Sequence, residues 1–135
     1  MPLLVFTEKF SVGIETIDQQ HRRLFEILNN LFEAMKFAQG KHVLETTLAE
    51  LNEYTQYHFS AEENLLDKFG YPQLNGHRSE HAFFIRRIIT FQEDLKRGKP
   101  ALSVYVMNFL KSWITNHILI VDKKYSGFLI ENGMK

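Results

Sequence analysis

Cysteine is absent from the chain, which excludes disulfides, thiolate zinc and iron–sulfur ligation. Net charge is absent as well: sixteen basic residues balance sixteen acidic ones. Bulk electrostatics therefore favour neither nucleic acid nor an anionic membrane surface. No apolar run is long enough to span a bilayer. The first residues lack the basic segment and small-residue cleavage site of a secretory signal. The expectation is a soluble cytoplasmic protein with no nucleic-acid partner and no membrane insertion. Proline and glycine are scarce, three and seven residues in 135. Where they occur they act as punctuation between long uninterrupted stretches.

Those stretches carry helical periodicity. Residues 1–17 lack it and read as an extended N-terminal arm. Thr16 or Asp18 then caps a first helix over about 18–39, with Gln19 completing a capping-box pattern. Leu24, Phe25, Leu28, Leu31, Phe32 and Met35 recur at its apolar spacing, and Gly40 supplies the stop. A second helix is expected over 42–69, closed by Gly70, and a third over 72–97, opened by Pro72 and ended near Gly98. A fourth over 100–121 opens at Pro100 and holds Leu102, Val106, Phe109, Leu110, Trp113 and Ile114. A tail over 123–135 reads as irregular or partly helical. Short links between long helices favour antiparallel neighbours, so the expected fold is one all-α domain, an up-down-up-down four-helix bundle.

Five of the six histidines fall on these helices beside core positions; His42 alone stands apart, at a helix start where exposure is expected. They are His21, His58, His77, His81 and His117, accompanied by Glu62 and Asp122. The pairs His58/Glu62 and His77/His81 are four residues apart, which places both members on one helix face. Seven buried polar groups without a common partner would be costly. A shared metal centre satisfies all of them.

Imidazole and carboxylate without thiolate suit iron, manganese, zinc or copper, and seven ligands are too many for one ion. If Glu62 and Asp122 both bridge, three histidines, two carboxylate oxygens and a solvent-derived oxygen complete six bonds on one metal. The other, with two histidines, reaches five and keeps one position for a small molecule. His117 and Asp122, five residues apart, do not share a face of an ideal α-helix. A π-type widening or a helix end is therefore predicted between Asn116 and Asp122.

These segments resemble the haemerythrin family, in particular its short single-domain bacterial members. The resemblance rests on Gly-Ile-Glu-Thr-Ile-Asp-Gln-Gln-His at 13–21 and His-Phe-Ser-Ala-Glu-Glu at 58–63. It continues through Tyr-Pro-Gln-Leu-Asn-Gly-His-Arg-Ser-Glu-His at 71–81 and Trp-Ile-Thr-Asn-His-Ile-Leu-Ile-Val-Asp at 113–122. It implies a four-helix bundle around two non-haem iron ions, bridged by carboxylates and an oxo or hydroxo group, that bind dioxygen reversibly. His77, His81 and His117 would hold one iron, His21 and His58 the other, with Glu62 and Asp122 bridging. One departure is Phe6, where many relatives carry tryptophan; it concerns the packing of the arm.

Oxygen that borrows electrons and returns them needs a dry pocket. Leu24, Phe59, Trp113, Ile114 and Ile118 are the expected lining, although each also suits plain core packing. No obvious acid or base accompanies the open position, which argues against turnover chemistry. The expected role is an oxygen carrier, store or supplier to an oxygen-using partner, acting as a monomer. The alternatives are a di-iron redox enzyme and an oxygen or redox sensor. By helical phase Glu63 points away from the ligands, as a solvated group or one lying behind them. Glu15 and Glu80 either orient a ligand imidazole by accepting its second N–H or, the favoured assignment, stand at the surface, as do the pairs Arg22/Arg23 and Arg86/Arg87.

Overall fold

The computed structural model describes residues 4–36, 41–98 and 104–133. The order of elements is a 3-10 turn at Glu8–Phe10, α1 (Glu15–Lys36), α2 (Lys41–Lys68), α3 (Leu74–Lys96), α4 (Val104–Asn116), a π-helical segment (His117–Asp122) and α5 (Lys123–Glu131). Among the described residues there is no strand. The expected stop at Gly40, and the expected opening at Pro100 with Leu102, lie outside the described residues.

Each helix buries one stripe at three- and four-residue steps, as an amphipathic helix must. In α2 the buried positions are Leu48, Leu51, Thr55, His58, Phe59, Glu62 and Leu66; in α3 they are His77, His81, Phe84, Ile88, Phe91 and Leu95. The stripes are thus apolar over most of their length and become polar toward one end of the bundle. Neighbouring helices run antiparallel, because paired residue numbers rise on one and fall on the next. Arg23 lies beside Glu50 and Gln20 beside His58; Asn52 meets Gln92 and Glu63 meets Arg78; Phe91 packs on Phe109 and His81 on His117.

Several boundaries differ from those expected, and each difference has a local cause. α1 begins at Glu15, so Asp18 is within its first turn and does not cap it. Its buried carboxylate instead accepts from the Ser11 hydroxyl at 2.5 Å and the Val12 amide at 2.8 Å, tying down the arm. Gly13, at φ 78°, makes the left-handed turn between arm and helix. At its other end the arm is clasped by Asn29, which receives the Leu4 amide and donates to its carbonyl, both at 2.8 Å. α2 ends as expected at Gly70, where the Tyr71 amide reaches the Leu66 carbonyl at 2.9 Å in a Schellman closure. The tail, expected to be irregular or partly helical, is helical over Lys123–Glu131, and its Tyr125 and Leu129 are fully buried.

Candidate metal centre

All seven sequence-selected side chains meet at the polar end of the bundle. α1 brings His21, α2 His58 and Glu62, α3 His77 and His81, and the π segment His117 and Asp122. None is more than 4 % exposed, so bulk water solvates none of them. Residues five apart share a face where hydrogen bonds run i to i+5. His117 Nε2 accordingly lies 3.1 Å from Asp122 Oδ1. The irregularity required by that spacing occupies the expected stretch.

The two carboxylates sort the five imidazoles into two groups. Glu62 Oε2 faces His58 and His21 at 2.8 and 3.3 Å, while its Oε1 faces His77 and His81 at 3.2 and 3.3 Å. Asp122 repeats the division: Oδ2 faces His21 at 3.2 Å, and Oδ1 faces His117 and His77 at 3.1 and 3.5 Å. Two donor groups follow that can hold a metal ion, one of His77, His81, His117 and Glu62 and one of His21, His58 and Glu62.

The spacings are those of a coordination shell. Bonds of about 2.1 Å meeting at right angles put neighbouring donor atoms about 3.0 Å apart. His81 Nε2 and His117 Nε2 are 3.0 Å apart. Tautomers sharpen the point. His81 Nδ1 lies 2.8 Å from Glu63 Oε2 and His58 Nδ1 2.6 Å from Gln20 Oε1. Both partners accept, so both Nδ1 atoms donate outward and both Nε2 atoms point inward. There they face carboxylate oxygens and other ring nitrogens, an arrangement that repels unless positive charge lies between. Asp122 is fully buried, and neither of its oxygens accepts a hydrogen bond. These are donors arranged for cations.

The same crowding governs proton affinities. Burial would raise the Glu62 carboxyl, but His58, His21 and His77 around it hold it well below the usual carboxylate range. Asp122 is lowered to about 2: burial and the Glu62 charge oppose this, and His117 and His21 prevail. His21, despite burial, is raised to about 9 by Asp122 and Glu62 beside it. Tyr125 is pushed well above its ordinary value by burial and by the charges of Glu62 and Asp122. It stays a neutral phenol and donates to Glu62 Oε2 at 3.1 Å.

Two of the expected lining residues cover rings of candidate ligands. Phe59 stacks on His81 at 3.7 Å and 2°, and Trp113 on His117 at 4.5 Å and 11°. Leu24, Ile114 and Ile118 are buried in the core cluster that also contains Phe59. His42 is exposed. Glu15 pairs with Arg22 at the surface, and Arg22 also lies over the Phe6 ring at 4.7 Å. Arg87 sits 5.1 Å above Phe91 and the same distance above Phe109, so it covers core aromatics as well as facing solvent.

Glu63 is the group lying behind a candidate ligand rather than a solvated one: its carboxylate reaches across to α3 and accepts from His81 Nδ1–H at 2.8 Å. Gln20 and Tyr125 were not selected from the sequence. Gln20 had a signal in its position, directly before a candidate ligand. Tyr125 had one in its spacing, three residues beyond Asp122.

Comparison with known proteins agrees with this geometry. The profile of the Hemerythrin HHE cation binding domain matches residues 12–129. A "Bacteriohemerythrin" of Clostridium acetobutylicum is 33 % identical over 127 residues, covering 91 % of this chain and 98 % of that protein. One of Stenotrophomonas maltophilia is 36 % identical over 126 residues, covering 93 % of this chain and 81 % of that protein. A crystal structure of wild-type hemerythrin superposes with a TM-score of 0.86 at 26 % identity, over 93 % of this chain and 96 % of the other.

Proposed function

The chain belongs to the haemerythrin family, and from that premise we propose that it binds dioxygen reversibly at a pair of iron ions. In this reading His77, His81 and His117 hold one iron, His21 and His58 hold the other, and Glu62 and Asp122 bridge them. The observation that carries it is the sorting of five inward imidazole nitrogens into three and two by the four oxygens of two buried carboxylates. The two-histidine side has one protein donor fewer, which leaves room there for a small molecule. When bound, the iron pair supplies electrons that dioxygen takes up and gives back.

The rest of the work falls to the chain's own residues. Glu63 and Gln20 accept from Nδ1 of His81 and His58 and so hold both rings with Nε2 turned inward before any ion arrives. Tyr125 holds Glu62 by its outer lone pair and limits its rotation. Phe59 and Trp113 clamp ligand rings from the side, while Leu24, Ile114 and Ile118 exclude water. Water and protons are what would turn reversible binding into loss of reduced oxygen, leaving ferric iron behind. The dry lining therefore supports a carrier, store or local supplier of oxygen.

The test is an oxygen cycle on reduced, iron-loaded protein followed by visible absorption. A charge-transfer band that appears with oxygen and disappears under inert gas is expected. Prompt, irreversible conversion to ferric protein would replace this reading with a redox enzyme or sensor.

A further inference from the structure

Two surface clefts reach ligand histidines from outside, and Glu80 and Val121 form the ridge between them. One cleft, of about 270 Å³, is lined by Tyr71, Gln73, His77, Glu80, Val121 and Lys124. The other, of about 240 Å³, is lined by Glu80, Trp113, Asn116, His117, Ile120 and Val121. Their charge differs. Glu80 lines both, but in the first Lys124 offsets its charge, whereas no lysine or arginine lines the second.

The inner wall of that second cleft is the ring of His117. Its Nε2 faces Asp122 and His81, and its Nδ1 lies on the side of Glu80, buried and without a hydrogen-bond partner. Glu80 Oε1 is 3.7 Å from Nδ1, and the Glu80 side chain is 46 % exposed. That separation is too long for the bond that would merely orient the ring. It does suit a cation held between the two atoms, since two metal bonds of about 2.1 Å span up to about 4.2 Å. A divalent ion with six waters occupies about 180 Å³ at about 30 Å³ per water, which the cleft accommodates.

We propose that Glu80 and the outward Nδ1 of His117 form a docking point for ferrous ion on its way into the buried centre. The proposal rests on the di-iron reading above. Glu80 supplies the charge that draws a hydrated dication into the cleft. His117, with its Nε2–H turned to Asp122, offers the Nδ1 lone pair in exchange for water; movement of its ring then opens the way inward, and the Nε2 proton leaves as iron binds there. A docking point of this kind lowers the barrier in both directions and leaves the final equilibrium where it was. A positioning residue would alter the bound state itself. Rates in and out separate the two.

The experiment mixes ferrous ion anaerobically with apo-protein and follows the fluorescence of Trp113, the chain's single tryptophan, which stacks on His117. Release is followed by adding excess ferrous chelator to the loaded protein. For Glu80→Gln, uptake and release should both slow by a common factor, roughly five- to tenfold for one lost charge at a partly screened site. Final iron content should be unchanged. Lys124→Gln should leave both rates as they were. Unchanged uptake in Glu80→Gln overturns the proposal, as does faster release with normal uptake, which would make Glu80 a positioning residue. Faster uptake in Lys124→Gln overturns it in favour of the other cleft. Wild-type protein that takes up no ferrous ion removes the di-iron reading and this proposal together.

Discussion

Replacing Glu62 by glutamine tests the centre most severely, because this one carboxylate faces four of the five imidazoles. Its oxygens lie 2.8–3.3 Å from the Nε2 atoms of His58, His21, His77 and His81. An amide keeps the shape of the side chain but removes its charge and turns an N–H donor toward one group. At about 2.1 Å and an effective dielectric of about 20, a carboxylate attracts a dication by about 16 kcal/mol before desolvation is counted. Desolvation offsets most of this. If only a tenth survives, about 1.6 kcal/mol per ion, affinity still drops more than tenfold. Because Glu62 faces both groups, both ions are affected. His58→Ala, in contrast, removes a ligand that faces only Oε2. The assay is iron per protein after desalting against a competing chelator, with far-UV circular dichroism to establish that the bundle is intact. Wild type should retain about two ions, His58→Ala about one and Glu62→Gln fewer than one. Two ions in folded Glu62→Gln, with unchanged chelator competition, would refute the bridging role.

Tyr125→Phe keeps the ring packed against His77 and removes a buried hydrogen bond to a charged acceptor. Urea denaturation of apo-protein should show a loss of about 1.5–3 kcal/mol, and no loss would mean the bond contributes nothing. Leu24→Ala opens a cavity at a position 1 % exposed. It should cost about 3 kcal/mol and speed conversion of the oxygenated protein to the ferric form; an unchanged conversion rate would remove Leu24 from the pocket lining. The apo-protein should also have a pH optimum of stability. His21, raised from 6.5 to about 9, contributes fully below pH 6.5 and loses its contribution as pH rises through about 9. Asp122, lowered from 3.8 to about 2, contributes above pH 3.8 and loses its contribution as pH falls through about 2. Denaturation midpoints across pH 2–10 should therefore fall at both ends, and a flat profile on the alkaline side would contradict the strong pairing of His21.

How much of this was legible in the sequence depended on whether the signal ran along one helix or across two. Within one helix the spacing was decisive. His58/Glu62 and His77/His81 share faces as four-residue steps require, and the five-residue step from His117 to Asp122 required a π-type widening or a helix end, of which the widening is present. Across helices it failed. Glu63 is one position past a candidate ligand and by phase turns away from it, yet its carboxylate finds His81 because α3 packs on that side of α2. Nothing in the spacing of α2 states where α3 lies. Gln20 is the same case seen from α1. Asp18 misled for a different reason. An aspartate near a helix start commonly caps it, but here the helix begins three residues earlier and the carboxylate holds the arm.

The tail, expected to be irregular or partly helical, is helical over Lys123–Glu131, and the reason for its burial explains how the centre is closed. Continued in α-helical phase from the buried His117, the inward positions would be Val121, Lys124 and Phe128. The π segment inserts one extra residue into that count, so the inward positions become Asp122, Tyr125 and Leu129. Asp122, Tyr125 and Leu129 are buried, while Lys124 is exposed and Val121 and Phe128 are only half-buried. A single local irregularity thus brings the second carboxylate to the centre and turns the phenol of Tyr125 onto the first. It also seats Tyr125 and Leu129 in a second core cluster with Val12, Ile14, Ile17 and Leu66. The polar end of the bundle is sealed by apolar residues from the arm, α1, α2 and α5 together. Read with unbroken α phase, Lys123 and Lys124 make the tail look unsuited to burial. Read with the shift that His117 and Asp122 already required, the same residues face solvent and the helix continues.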